Sequence, residues 1–236
     1  RTTDVQREVA MNTPEYDPVP LVAPERRSAP VMLTRAKAYL DLMRQRRTVR
    51  DFSSEFVDPA VIEACVSTAG SAPSGANHQP WHFVCVSDPA TKRAIREAAE
   101  REEEAFYGGK AGDAWLEDID PLGTNASKPF LEEAPWLIAV FAERYGVNDA
   151  GQKRKNYYVP ESVGIATGFL IAALHNVGLA TFTHTPNPMK FLNEILERPS
   201  RERPYVLLVV GHPSKSATVP RAAGVKKPLE TISSFI

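Results

Sequence analysis

The chain has 236 residues, 43% of them hydrophobic and 24% charged, with a formal net charge of −1. That is enough apolar chain for a sizeable core, and the composition excludes wholesale disorder. The near-zero charge argues against nucleic acid as the main partner. Cys65 and Cys85 are the only cysteines and form no CxxC pair, which argues against structural zinc, an iron–sulfur cluster or a disulfide scaffold.

No apolar run reaches the ~18 residues of a membrane span. The nearest, 163–174, is short and flanked by Glu161, His175 and Asn176. The reading is of a cytoplasmic protein, with anything upstream of Arg1 outside it.

Residues 1–32 carry Pro14, Pro18, Pro20, Pro24 and Pro30 with few periodic apolar positions, so an extended arm is expected there. A helix follows over 33–45, with Ala36, Tyr39, Leu40 and Met43 on one stripe. Asp58-Pro59 is an N-cap followed by Pro at the first helical position, and Val61, Ile62, Cys65 and Val66 form the buried stripe. Residues 81–86 read as a strand. Asp88-Pro89 repeats the cap signal and opens a helix reaching about residue 107, broken by Gly108-Gly109. Residues 136–141 form a nearly continuous apolar run, expected to be central in a sheet. Pro160 opens a helix that is apolar on most sides and stops at Gly178; such a helix must be buried in a core or an interface. A strand over 180–184, a short helix over 188–196 and a strand over 205–210 complete a domain spanning 33–212. Residues 213–236 read as a second extended arm. Helices and strands without βαβ regularity indicate an α+β fold.

The chemistry gathers in two places. Arg46, Arg47 and Arg50 precede a loop of small residues, Ser71-Ala72-Pro73-Ser74-Gly75-Ala76-Asn77, closed by Gln79-Pro80-Trp81. A like-charge cluster is usually solvated surface. Here a glycine-bearing turn lies one helix away, and guanidinium forks with accessible backbone N–H groups suit a phosphate ester. No GxGxxG follows a strand and no GxxxxGK[ST] occurs, so a mononucleotide ester is favoured over a dinucleotide or a P-loop. Farther on, Glu103 and Tyr107 lie one helical turn apart and share a face. The histidines, His78, His82, His175, His184 and His212, show no metal-ligand spacing, so no metal is expected.

The segments Arg46-Arg47-Thr48-Val49-Arg50, Thr68-Ala69-Gly70-Ser71-Ala72-Pro73-Ser74-Gly75-Ala76 and Gln79-Pro80-Trp81 resemble the flavin-binding signature of the nitroreductase superfamily. The likeness extends over 33–230. It takes in Asn156-Tyr157-Tyr158, Thr183-His184-Thr185-Pro186 and Gly211-His212-Pro213-Ser214-Lys215, and is strongest to the halotyrosine-dehalogenating branch.

That resemblance implies a mostly antiparallel sheet flanked by helices and an intertwined homodimer with FMN at the interface. It implies that Arg46, Arg47, Thr48, Arg50 and Lys226 hold the phosphate and ribityl chain. Pro73, Ser74, Gly75, Thr183, His184 and Thr185 would border the ring system. Thr185 is implied as the catalytic hydroxyl at flavin N5, favouring one-electron steps over hydride transfer. Glu103, Tyr107 and Lys128 are implied to clamp the substrate zwitterion, while the Ala76 N–H meets its phenolic oxygen. The family often carries a C-terminal Arg where this chain has Lys226-Lys227-Pro228, and a lysine keeps the charge but loses the fork. The electron donor, NADPH, NADH or a reductase, has no signature here. Two other readings stay open: a general nitro- or quinone reductase using the same flavin, and a flavin- or tyrosine-binding protein without turnover.

Overall fold

Period-two alternation in two long apolar strands sets the centre of the molecule. The computed structural model describes residues 16–110, 112, 117, 119–148 and 150–236, omitting the side chains of Lys110 and Asp120. Strand β2 (Trp136–Glu143) pairs antiparallel with β6 (Glu202–Gly211), Trp136 opposite Val210, with one irregularity between Val140 and Phe141. Strands β1 (Trp81–Val86) and β5 (Ala180–His184) flank them, in the order β1-β2-β6-β5, every neighbour antiparallel.

Side chains alternate between two cores, as the pleat requires. Leu137, Ala139, Phe141, Leu207 and Val209 point one way. They join Ile95 and Ala99 of α3 (Pro89–Ala105), Leu131 of α4 (Phe130–Glu133) and Leu192 of α6 (Phe191–Ile195). Ile138, Val140, Val206, Leu208 and Val210 point the other way. They meet Ile62, Cys65 and Ala69 of α2 (Pro59–Gly70) and Val163, Leu170 and Leu174 of α5 (Val159–Asn176). Asp58 and Asp88 cap α2 and α3 through Ala60 N–H and Thr91 N–H, both at 2.8 Å. The fold is α+β with a mostly antiparallel sheet, as the sequence led us to expect.

The chain divides into two compact units, Arg1–Tyr39 and Leu40–Ile236. Within the first, residues 16–28 are irregular and exposed; the earlier part of the expected N-terminal arm lies outside the described residues. Helix α1 (Ala29–Gln45) begins earlier than its apolar stripe and buries none of its residues. Where a continuous helix to about 107 was expected, α3 ends at Ala105 and a π turn over Phe106–Lys110 follows, with Gly109 at φ 140°. The 188–196 helix contracts to Phe191–Ile195. The small β3 (Tyr145–Val147) and β4 (Lys153–Lys155) hairpin had no sequence signal, because an exposed Lys-Arg-Lys strand carries no apolar alternation. Beyond β6 the tail is pinned at its start by Ser214 N–H to Asp51 C=O, 3.0 Å. It forms only a short 3-10 turn, Arg221–Gly224, and the single exposed turn α7 (Leu229–Ile232).

The apolar α5 helix has two fates along its circumference. Val163, Ala166, Leu170 and Leu174 are buried, whereas Ile165 and Phe169 remain 43% and 40% exposed. Among the described residues, no helix is long and apolar enough to cross a membrane.

Candidate active site

One half of the site is built on the end of α3. The helical register places Glu103 on the last turn, and Tyr107 follows in the π turn. Glu103 Oε2 lies 3.5 Å from Lys128 Nζ, and the two side chains are only 13% and 3% exposed. The same ammonium donates to Thr124 Oγ1 (3.4 Å) and to the Asn125 carbonyl, and sits 5.7 Å from the Tyr107 ring. The main chain of Lys128 is fixed separately: its N–H donates to Glu100 Oε1 at 2.6 Å. Glu100 is itself gripped by Arg96, which also binds Glu132 at 2.8 Å. A buried cation on an anchored backbone therefore faces a buried anion on a helix end.

Arg50 belongs to this half. It borders a pocket of ≈ 230 Å³ with Thr124, Asn125, Ser127, Lys128 and Phe130. Its guanidinium lies 5.0 Å over the Phe182 ring, and the His184 ring stacks on the same phenyl at 5.7 Å. Arg50 Nε and His184 Nε2 are buried without a hydrogen-bond partner among the described residues. Burial holds His184 far below the usual histidine range, at about 3, with Lys128 pushing the same way. Burial also lowers the Lys128 ammonium; Glu103 pulls it back up and Arg50 pushes it down. Arg50 is lowered by burial and raised by Tyr107.

Arg46 and Arg47 lie in a different groove, of ≈ 490 Å³, with His175, Thr181, Pro213 and Ala217. Arg47 Nη1 donates to the carbonyls of Arg44 (2.6 Å) and Arg46 (2.8 Å), satisfying the end of α1. Thr48 forms a parallel bridge with Thr181, and Val49 N–H donates to the Thr181 carbonyl at 3.2 Å. Along β5 and just beyond, Thr183 and Thr185 alternate as exposed residues with buried Phe182 and His184. Thr185 opens onto a cleft of ≈ 690 Å³ that also takes in Arg144, Met189, Arg203 and Tyr205. Lys226 is exposed in the tail and makes no ion pair among the described residues, and neither does Lys227.

The other half is the turn after α2. Pro73 is exposed, and Gly75–Asn77 forms a 3-10 turn in which Ala76 adopts φ 51°. Gly75 N–H donates to Ser162 Oγ (3.3 Å) and Gln79 N–H to Ser74 Oγ (2.9 Å). A Cβ on Gly75 would meet the Tyr157 carbonyl oxygen at 2.6 Å. Ala76 is exposed and its N–H makes no hydrogen bond among the described residues. The turn thus rests on the start of α5, over one face of the sheet. Arg50, Lys128 and His184 border the core on the opposite face.

Comparison with known proteins decides the lineage. Residues 43–212 match the Nitroreductase family over most of the domain. The chain belongs to the nitroreductase family. Within it, the chain is 55% identical over 189 residues to the iodotyrosine deiodinase of Haliscomenobacter hydrossis, covering 80% of this chain and 85% of that protein. It is 45% identical over 202 residues to human iodotyrosine deiodinase 1, covering 85% of this chain and 69% of that protein. Among solved structures, an oxidised iodotyrosine deiodinase bound to FMN and 3-iodo-L-tyrosine superposes with a TM-score of 0.67 at 34% identity, covering 84% of this chain and 96% of that one. A BluB-like flavoprotein from Clostridium difficile shares the fold, with a TM-score of 0.63 at 22% identity.

For this nitroreductase, sequence reasoning missed the supports rather than the groups supported. Glu100, Arg96 and Glu132 carry no motif; only the fold shows that Glu100 accepts from Lys128 N–H and that Arg96, bonded also to Glu132, holds Glu100 in place. Phe130 and Phe182, ring centroids 4.9 Å apart, wall the Arg50 and His184 side and carry no motif. Asn156 and Ser162 grip the turn, and only Asn156 lies within a stretch the family likeness singles out.

Proposed function

We propose that this protein is an FMN-dependent halotyrosine dehalogenase that grips its substrate between Glu103, Tyr107 and Lys128. The carrying observation is the buried Glu103–Lys128 pair beside Tyr107, in a chain of iodotyrosine deiodinase lineage. An amino-acid zwitterion offers an ammonium for Glu103 and a carboxylate for Lys128. Binding then exchanges one buried ion pair for two, leaving neither charge unmatched. Tyr107 adds a phenol beside the same ammonium.

The residues present fit the flavin. Arg50 Nε and His184 Nε2 are buried polar atoms in want of partners, as a ring system with carbonyl and N–H edges would supply. Arg46 and Arg47 line a separate groove with guanidinium groups suited to a phosphate ester. We assign the phosphate and ribityl chain to Arg46, Arg47 and Thr48, with Lys226 in support. Pro73, Ser74, Gly75, Thr183, His184 and Thr185 border the ring, and Arg50 sits at the ring end near Lys128. FMN, when bound and reduced, supplies the two electrons that break the carbon–halogen bond. With one proton taken up, hydrogen replaces halogen on the ring and halide leaves. The chain's own work is to orient the aryl ring, exclude water with the clamp, and donate the Ala76 N–H to the phenolic oxygen. The Thr185 hydroxyl can donate or accept at the reacting edge of the flavin.

A homodimer completes this site. The turn bearing Ala76 and the clamp lie over opposite faces of one chain's sheet, so a single chain does not bring them together. The exposed Ile165 and Phe169 on α5 offer the apolar surface that pairing would cover. The reductant is a reduced nicotinamide or a reductase.

Anaerobic titration of the reduced, FMN-loaded protein with 3-iodotyrosine tests the reading. Flavin reoxidation with stoichiometric iodide and tyrosine is the expected result. Rapid turnover of nitroaromatics with no spectral response to 3-iodotyrosine would return the chain to the general nitroreductases.

A further inference from the structure

Ala76, Asn77 and Gln79 adopt φ of 51°, 55° and 49°, three side-chain-bearing residues in left-handed backbone within four positions. Such a run is unfavourable and persists only where its surroundings over-determine it. The surroundings here are two buried polar side chains from one neighbouring segment. Ser162, 2% exposed, accepts from Gly75 N–H at 3.3 Å and donates to the Tyr158 carbonyl at 2.7 Å. Asn156, 6% exposed, donates from Nδ2 to the Glu143 carbonyl at the end of β2, 2.8 Å. Its Oδ1 therefore faces His78 Nδ1, at 3.1 Å. An amide oxygen only accepts, so His78 must carry its proton on Nδ1. Tyr157 closes the remaining space, since its carbonyl oxygen would lie 2.6 Å from a Cβ on Gly75.

The turn is thus gripped immediately before Ala76, through Gly75, and two residues after it, through His78. Between the two grips the Ala76 N–H is left without a partner among the described residues. We infer that Asn156 and Ser162 are positioning residues that hold the Ala76 amide where the phenolic oxygen of the substrate meets it. Asn156 ties the turn to the central strand β2, the best-buried element of the sheet. Ser162 ties it to the first turn of α5. Neither needs to touch the ligand. Their effect is to fix one N–H direction, so they govern recognition of the hydroxyl and not of the zwitterion. This inference rests on the assignment of Ala76 made above.

The test compares 3-iodotyrosine with 3-iodophenylalanine, which keeps the zwitterion and iodine but lacks the phenol. Affinities are measured on the FMN-loaded protein by flavin fluorescence, and ionisation of bound 3-iodotyrosine by its phenolate absorbance against pH. Asn156→Ala should weaken 3-iodotyrosine roughly tenfold, the effect of losing one hydrogen bond to a charged oxygen. It should leave 3-iodophenylalanine unchanged and move ionisation of the bound phenol to higher pH. Ser162→Ala, a smaller excision, should do the same to a lesser extent and decides the matter alone if Asn156→Ala loses its flavin or melts early. Equal weakening of both ligands, or of neither, overturns the positioning role. A wild-type protein that binds both ligands alike shows that the Ala76 assignment itself is wrong, and the inference goes with it.

Discussion

The two halves of the site recognise by opposite physics. The clamp of Glu103, Lys128 and Arg50 is made of formal charges on long side chains, buried beside an irregular helix end. The Ser74–Gln79 turn presents a neutral backbone amide, fixed by short polar side chains and a glycine with no room for a Cβ. Charges on flexible stems can pair with each other and wait for a ligand, as Glu103 and Lys128 do. A backbone N–H cannot move to a partner and must be aimed in advance. The clamp can therefore tolerate motion and should be sensitive to pH, while the turn should be sensitive to geometry.

The sharpest break between the halves is acid lability on the clamp side. His184 is held at about 3 in the fold against an ordinary value of 6.5. Between those values the unfolded chain binds a proton that the folded chain refuses, so stability is full above pH 6.5 and falls as pH drops through the window. The linkage amounts to on the order of 3 kcal/mol by pH 4. Urea unfolding at pH 7 and pH 4 should show this loss in the wild type and a much smaller one in His184→Leu. Equal losses in both proteins would show that His184 is not the group responsible.

Glu103→Gln is the next largest effect. Removing the charge leaves Lys128 buried without its anion and takes away the ammonium partner of the substrate. Losing a charge-assisted hydrogen bond costs about 1.5–3 kcal/mol, so KM for 3-iodotyrosine should rise roughly 10–100-fold. Burial already holds Lys128 below the usual lysine range, and Glu103 is the strongest pull upward, with Glu100 adding to it. In the variant it should fall further, so the alkaline loss of substrate binding should begin at lower pH than in the wild type. Steady-state kinetics across pH 7–10 measure both, and unchanged KM would remove Glu103 from the site.

The pattern of what could be read in advance follows the same division. Strands 81–86 and 180–184 match their observed bounds, because alternating apolar residues between turn formers admit one register. The Asp-Pro caps marked the starts of α2 and α3, since a carboxylate accepting from the first turn is a local interaction. Glu103 and Tyr107 were read as one helix face, but α3 ends between them and Tyr107 falls in the π turn that follows. Lys128 was not legible in this way, because its approach to Glu103 is closed by a loop and an anchoring network, Glu100 and Arg96, that no spacing encodes. The split of Arg50 from Arg46 and Arg47 was equally hidden: neighbours in sequence, they part because Thr48 and Val49 pair with Thr181 and turn alternate side chains apart. The family likeness grouped Glu103, Tyr107 and Lys128 in one clamp but counted Arg50 with Arg46 and Arg47, from which the structure separates it.

On the turn side, Gly75→Ala tests geometry directly. The added methyl must displace the Tyr157 carbonyl, a backbone atom that cannot swing away. Overpacking of this kind costs about 1–3 kcal/mol. Thermal unfolding should show the loss. Binding of 3-iodotyrosine should suffer beyond it, while the pH dependence set by Lys128 should be unmoved. A variant with wild-type Tm would mean that the turn gives way more easily than its contacts imply.

The smallest effect separates two adjacent arginines. Arg47 directs Nη1 to the carbonyls of Arg44 and Arg46, so part of its fork is committed to ending α1. Arg46 makes no such bond among the described residues, and its whole fork is available to the groove it shares with Thr181. Arg46→Ala should therefore weaken FMN roughly tenfold, the lower end for a lost charge-assisted contact, with little change in Tm of the apoprotein. Arg47→Ala should show the reverse balance, a lower apoprotein Tm with a smaller change in FMN affinity. Isothermal titration with FMN and melting of the apoprotein give both numbers for each variant. If the two variants behave alike, the helix end does not depend on Arg47, and both forks belong to the phosphate.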